Sequence, residues 1–331
     1  MPARCPFWRA IAGAAALAAA LTACTGSAGP DITSPDIASR DSTSPDSTSP
    51  DSTSPDSTSP DSTSRDGIAT PAMPDPGFGH VHGLGLNPGD GLVYAATHHG
   101  VFRLTPGGPE RVADRYQDTM GFTITGPDEF LGSGHPDPRE PGPPRLGLVA
   151  SSDRAQTWTP VSLRGEVDFH ALSAAEATVY GWDSTTGAVY RSDDGGATWT
   201  RGATLALSDL DADPTDPSRA LGASEAALLE SRDGGGSFQP FTPQPPQPLL
   251  LLDHPEEAAD AAAAGRVAGV DSGGTVWSFT ADGWTKAGTL PGPPQAFTVA
   301  PDGTFLAATA TGVHTSADAG RRWTQVAASI G

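Results

Sequence analysis

Four histidines fall within twenty residues of this chain, in "HVHGLGLNPGDGLVYAATHHG": His80, His82, His98 and His99. They are half of the eight histidines in 331 residues. The spacing of two in His80-x-His82 recurs with other donors, as Asp118-x-Met120 and Asp168-x-His170, and His135 follows in "GSGHP". Imidazole with carboxylate suits zinc or copper(II), and a thioether adds softness that suits copper. Residues two apart on a strand point to one face. Each pair therefore works as a unit if strands carry it.

The elements that position these residues are repeats. Four segments share the spacing S-x-D-x-G-x-[T/S]-[W/F]. They are "SSDRAQTW" (Ser151, Asp153, Trp158), "SDDGGATW" (Ser192, Asp194, Gly196, Trp199), "SRDGGGSF" (Ser231, Asp233, Gly235, Phe238) and "SADAGRRW" (Ser316, Asp318, Gly320, Trp323). The first has Ala155 at the glycine position, and the fourth has Arg322 at the Thr position. A worn copy is "TADGW", ending at Trp284. Asp and Ser side chains bond turn amides, Gly supplies positive φ, and the aromatic residue packs between sheets.

The spacing resembles the Asp-box, or BNR, repeat of sialidase-like β-propellers, and the resemblance covers nearly everything after residue 77. It implies an all-β propeller whose boxes are structural turns. Period-2 alternation and turn residues support four short antiparallel strands per unit. Six blades are expected, beginning near His80, Asp118, Asp168, Ser208, Leu249 and Gln295, at about 42 residues each. How the ring closes is left open, since the first unit already starts at its own first strand.

In a propeller the first strands line the central channel. His82 then aligns with Met120, His170, Ser208, Leu249 and Gln295, and His80 aligns with Asp118 and Asp168. The expected candidate site is His80, His82, Asp118, Met120, Asp168 and His170 at one mouth of the channel. His98, His99 and His135 sit on the same rim as secondary residues. Blades four to six are expected to be less polar there. The cluster suits a metal ion (copper or zinc), a polar organic ligand, or ordered water alone.

The resemblance also implies a second reading, a glycosyl hydrolase acting on cell-surface or environmental glycans. Asp118, Asp168 and Asp183 could supply its carboxylate pair, Glu166 is a further candidate, and Tyr116 is the tyrosine placed for a nucleophile. A sialidase needs three arginines for the substrate carboxylate, and no such triad lies on the first strands. "VFRLT", with Phe102 and Arg103, looks like a sialidase motif, but Arg103 aligns with Arg191 on third strands, away from the channel. True sialidase activity is not expected. A third reading is a scaffold for cell-envelope proteins.

The N-terminal region bears on location. Arg4 and Arg9 precede an apolar run of 14 residues, Ala10 to Ala23. A stable membrane span needs about 20, so the run fits a secretory signal. It ends in "LTAC", which resembles a bacterial lipobox. The resemblance implies cleavage after residue 23 and acylation of Cys24, anchoring the chain to the outer face of the membrane. Residues 24–76 hold a five-residue Asp/Ser/Thr/Pro repeat with no capacity for a core, expected as a tether. Residues 77–331 are the propeller. Cys5 and Cys24 are the chain's two cysteines, so the propeller contains no disulfide and no thiolate metal site. Setting aside the eight Asp and four Arg before residue 71 leaves 31 acidic against 15 basic residues, a formal charge of −16. That field opposes nucleic acid and anionic surfaces and attracts cations. A monomer is expected.

Overall fold

The computed structural model describes residues 75–255 and 267–328. The lipobox, Cys24 and the repeat tether up to residue 74 lie outside the described residues. The described chain forms six four-stranded sheets, each antiparallel and with its strands in chain order. It is an all-β, six-bladed propeller. The first strands are Val81–Leu86, Asp118–Gly126, Phe169–Ala175, Asp209–Ala212, Leu249–Asp253 and Pro294–Val299, within a residue of the starts read from the repeats.

Apolar residues fall where adjacent sheets meet. Six buried clusters divide the core, and each draws residues from two neighbouring blades. The ring closes in the same way. Phe78, Val81 and Leu84 of blade one pack with Ala296, Leu306 and Val313 of blade six, and the Val81 amide donates to Gln295 Oε1 at 3.2 Å. Among the described residues no strand is shared across the closure: blade six ends in its own fourth strand, Thr324–Ala328.

The four S-x-D segments form one turn repeated. In blade three Ser192 Oγ donates to Asp194 Oδ1 at 2.7 Å and accepts from the Gly196 amide at 2.8 Å. Asp194 in turn accepts from the Thr198 amide and hydroxyl. The same set recurs at Ser151, Ser231 and Ser316. At the fourth copy Arg322 supplies only its amide. The turn requires positive φ at its fifth residue, which Gly196 takes at 92° and Ala155 takes at 63°. Two of the turns also bond to the preceding blade: Ser162 Oγ donates to the Gly196 carbonyl, and the Ala203 amide donates to the Gly235 carbonyl at 2.8 Å. The "TADGW" segment departs from this pattern. Pairing of Thr280 with Gly283 shortens it to a two-residue hairpin, and Trp284 still packs on Phe279 with centroids 5.1 Å apart.

Candidate metal centre

A β-bulge recurs where the first strand of a blade reaches the channel mouth. The pairing skips His82, Met120, Leu250 and Gln295 on first strands, and His170 by the shift between Trp182 and Asp183. A bulge frees one residue from the ladder and re-aims its side chain. Blade five therefore corrects the repeat alignment by one position. Leu250 is the bulged residue, whereas Leu249 is buried in the core between blades four and five.

The second elements of the site are turns and strand ends. His98 and His99 form the whole connection between Val93–Thr97 and Gly100–Thr105. The Thr97 hydroxyl accepts the His99 amide at 3.0 Å. His135 ends the second strand of blade two and pairs with Asp118, which opens the first. Asp168 immediately precedes the first strand of blade three.

These elements bring six side chains into one run of contacts. His82 Nε2 lies 3.1 Å from His98 Nδ1. His98 Nδ1 lies 3.1 Å from Asp118 Oδ1, and His82 Nε2 lies 3.7 Å from the same oxygen. Asp118 Oδ2 contacts His135 Nδ1 at 3.4 Å. His135 Nε2 then reaches Asp168 Oδ2 at 3.3 Å, and His170 Nε2 reaches it at 3.1 Å. Asp168 Oδ1 is buried without a hydrogen-bond partner among the described residues.

Three of these atoms, from His82, His98 and Asp118, form a compact donor group. Their separations of 3.1, 3.1 and 3.7 Å define a circle of radius about 1.9 Å, just under the 2.0–2.2 Å of zinc–nitrogen and zinc–oxygen bonds. An ion bonded at about 2.1 Å would sit about 0.8 Å out of the donor plane, close to the 0.7 Å of a tetrahedral centre. Burial and the neighbouring His98 and His80 push the His82 pKa down to about 3. Burial and His98 also lower that of His80. His82 is therefore neutral at ordinary pH, the form that ligates metals. Asp168 is held below the usual carboxylate range: burial opposes this, and the hydrogen bond from His170 with the charges of His170 and His135 outweighs it.

The remaining sequence candidates take other places. The exposed His80 ring lies 4.9 Å from that of His82, between centroids, outside the donor triangle. His99 turns away, with its ring against Gly79 and its carbonyl accepting from Arg111. Met120 lines a narrow inner channel with His82 and His170. Asp183 is buried, and its carboxylate accepts from the Asp168 amide and the Thr186 hydroxyl at 3.1 and 2.6 Å, so it holds a turn and does not face the cluster. Tyr116 lies against the guanidinium groups of Arg111 and Arg139, at 4.0 and 4.6 Å from its ring centroid. Glu166 is an exposed residue in the connection before blade three. Arg103 pairs with Glu110 at 2.8 Å on the exposed side of its strand.

The sequence reading missed the far wall of the channel. Asp209 and Asp211 of blade four and Asp253 of blade five line the same inner channel as His82, Met120 and His170, so blades four and five add carboxylates along the channel beyond the mouth. The D-x-D alternation in "SDLDAD" carried that signal. Burial pushes Asp209 up to about 7. Burial, with Asp211 nearby, pushes Asp253 well above the usual range. Asp211 accepts from Ser173 and from the amide and ring Nδ1 of His254.

No protein-family model matches the chain, and no curated protein matches it in sequence. Solved structures share its fold. A chain of a nidogen/laminin complex is 13% identical, with 71% of this chain and 91% of that chain covered and a TM-score of 0.54. The GH74 xyloglucanase of Xanthomonas campestris is 19% identical, with 75% and 45% covered and a TM-score of 0.49. The Niastella koreensis GH74 enzyme is 18% identical over the same shares, also at 0.49. This chain spans less than half the length of those two enzymes. At these identities the likeness is one of fold: a β-propeller.

Proposed function

We propose that the protein binds one divalent transition-metal ion, zinc or copper, through His82 Nε2, His98 Nδ1 and Asp118 Oδ1. The observation that carries this reading is the donor triangle, whose size suits bonds of about 2.1 Å without rearrangement. Neutral His82 and the acidic field of the domain support it. His135 holds the second oxygen of Asp118, and outer partners of this kind orient ligands. The four S-x-D turns, with one hydrogen-bond set between them, support reading the repeats as Asp boxes of a structural kind. We place the propeller outside the cell on an acylated Cys24 and an extended tether, a reading that rests on the lipobox-like "LTAC" and the repeats.

The test is metal analysis of the purified protein and titration calorimetry with zinc and copper(II). One ion per chain is expected. His98→Ala should weaken binding by more than about 100-fold, the upper range for losing only an outer partner, and His99→Ala should leave it unchanged. Absence of stoichiometric metal, or equal effects of the two variants, would sink the proposal. A glycosidase reading of Asp118 and Asp168 gains no support from the geometry, because histidines engage an oxygen of each.

A further inference from the structure

Three protein donors leave a tetrahedral ion one position short, as in zinc sites that keep an exchangeable ligand. The three donor residues are not equally covered. Side-chain exposure rises from 11% at His82 to 25% at Asp118 and 45% at His98. His82 lines the inner channel, whereas His98 and Asp118 line a separate cleft of about 890 Å³ on the rim. Three prolines, Pro76, Pro136 and Pro138, also line that cleft.

The charges around the cleft narrow the choice of ligand. Arg139, its lining guanidinium, is paired with Asp137 at 2.7 Å and Asp114 at 3.1 Å. Those carboxylates leave it little capacity to attract a further anion. Tyr116 is already engaged by the guanidinium groups of Arg111 and Arg139, which both lie against its ring. A bound ion would therefore be the anion-attracting group of the cleft, and the prolines would supply an apolar wall beside it.

Resting on the metal reading above, we infer that the fourth position of the ion opens into this cleft and takes an anionic oxygen of a small organic acid whose apolar part packs on the proline wall. Cobalt(II), which is visible by its absorption bands, tests this in the full-length protein with two probes, acetohydroxamate and benzohydroxamate. Both should change the cobalt spectrum, and burial of the phenyl ring should make the second bind on the order of tenfold tighter. A Pro136→Ala/Pro138→Ala variant should lose most of that preference while its cobalt affinity and its acetohydroxamate affinity stay unchanged. If cobalt binds and neither probe alters its spectrum, the fourth position is closed, with His80 the nearest spare imidazole, and the inference falls while the metal reading stands. Equal affinity for the two probes removes the proline wall from the proposal and overturns it. Failure of cobalt, zinc and copper to bind at all overturns both.

Discussion

Replacing Asp209 with Asn should exchange a pH-dependent penalty for a small fixed one. Asp209 opens the first strand of blade four and faces the inner channel. The amides of Leu210 and Leu252 each donate to one of its oxygens at 2.9 Å, which favours the carboxylate. Burial outweighs them, Asp211 adds like charge, and the pKa rises from 3.8 to about 7. Between those values the folded state binds more protons than the unfolded one. The stability that goes with the neutral form is therefore full below about pH 4 and is lost as pH rises through about 7. At about 1.36 kcal/mol per pH unit the upper limit is about 4 kcal/mol. Asp209 is only partly covered and lines the channel, so about 2 kcal/mol is the expected size. Asn is uncharged throughout, but its amide group must face one of the two backbone donors, at a cost of about 1 kcal/mol. The variant should then be about 1 kcal/mol less stable than the parent near pH 3, where the parent carries the full stability of the neutral form, and about 1 kcal/mol more stable near pH 8.5. Relief of Asp253, which also feels the Asp209 charge, acts in the same direction. Urea denaturation of metal-free protein, followed by tryptophan fluorescence at both pH values, measures the difference. A stability gap between the two proteins that is the same at both pH values would refute the reasoning.

Two further outcomes concern the repeated turns. Ser192→Ala leaves the buried Gly196 amide without its acceptor and should cost about 1–3 kcal/mol, whereas Asp282→Ala, in the shortened hairpin, should change stability by less than about 0.5 kcal/mol; equal effects in denaturant melts would contradict the turn assignment. At Gly288 a Cβ would run into the Gly320 carbonyl of the next blade. Gly288→Ala should therefore cost about 2 kcal/mol or more by forcing the two blades apart, and an unchanged melting temperature would show that the blades are not packed this closely.

The sequence carried the ring because its turns repeat. Ser, Asp, Gly and an aromatic residue at fixed offsets are local requirements of one turn, so they survive in the chain as a readable spacing. The "TADGW" segment shows the limit of such reading. It keeps Asp282, Gly283 and Trp284 in order, yet two residues suffice for its hairpin, and composition alone does not distinguish the two lengths. The closure of the ring was not legible either. It depends on Phe78 and Val81 meeting Ala296 and Leu306, about 220 residues apart in the chain, and no local pattern encodes that pairing.

The site was legible by residue type but not by rank, and the bulges explain the difference. Regular alternation puts His80 and His82 side by side and leaves His98 in a solvated turn. An unpaired residue at position 82 does not follow that alternation. Its ring instead reaches the turn that closes the neighbouring strand pair, and His98 becomes its nearest donor. The same local slip sets Met120 and His170 at the channel mouth. Asp118 owes its place to strand pairing: its partner in the ladder is His135, which fixes one oxygen and leaves the other toward His82 and His98. A bulge has no residue requirement strong enough to read from one chain, since His, Met, Leu and Gln all occupy it here. The repeat alignment therefore found which strands converge, while the identity of the third donor depended on backbone geometry that leaves no mark in the spacing.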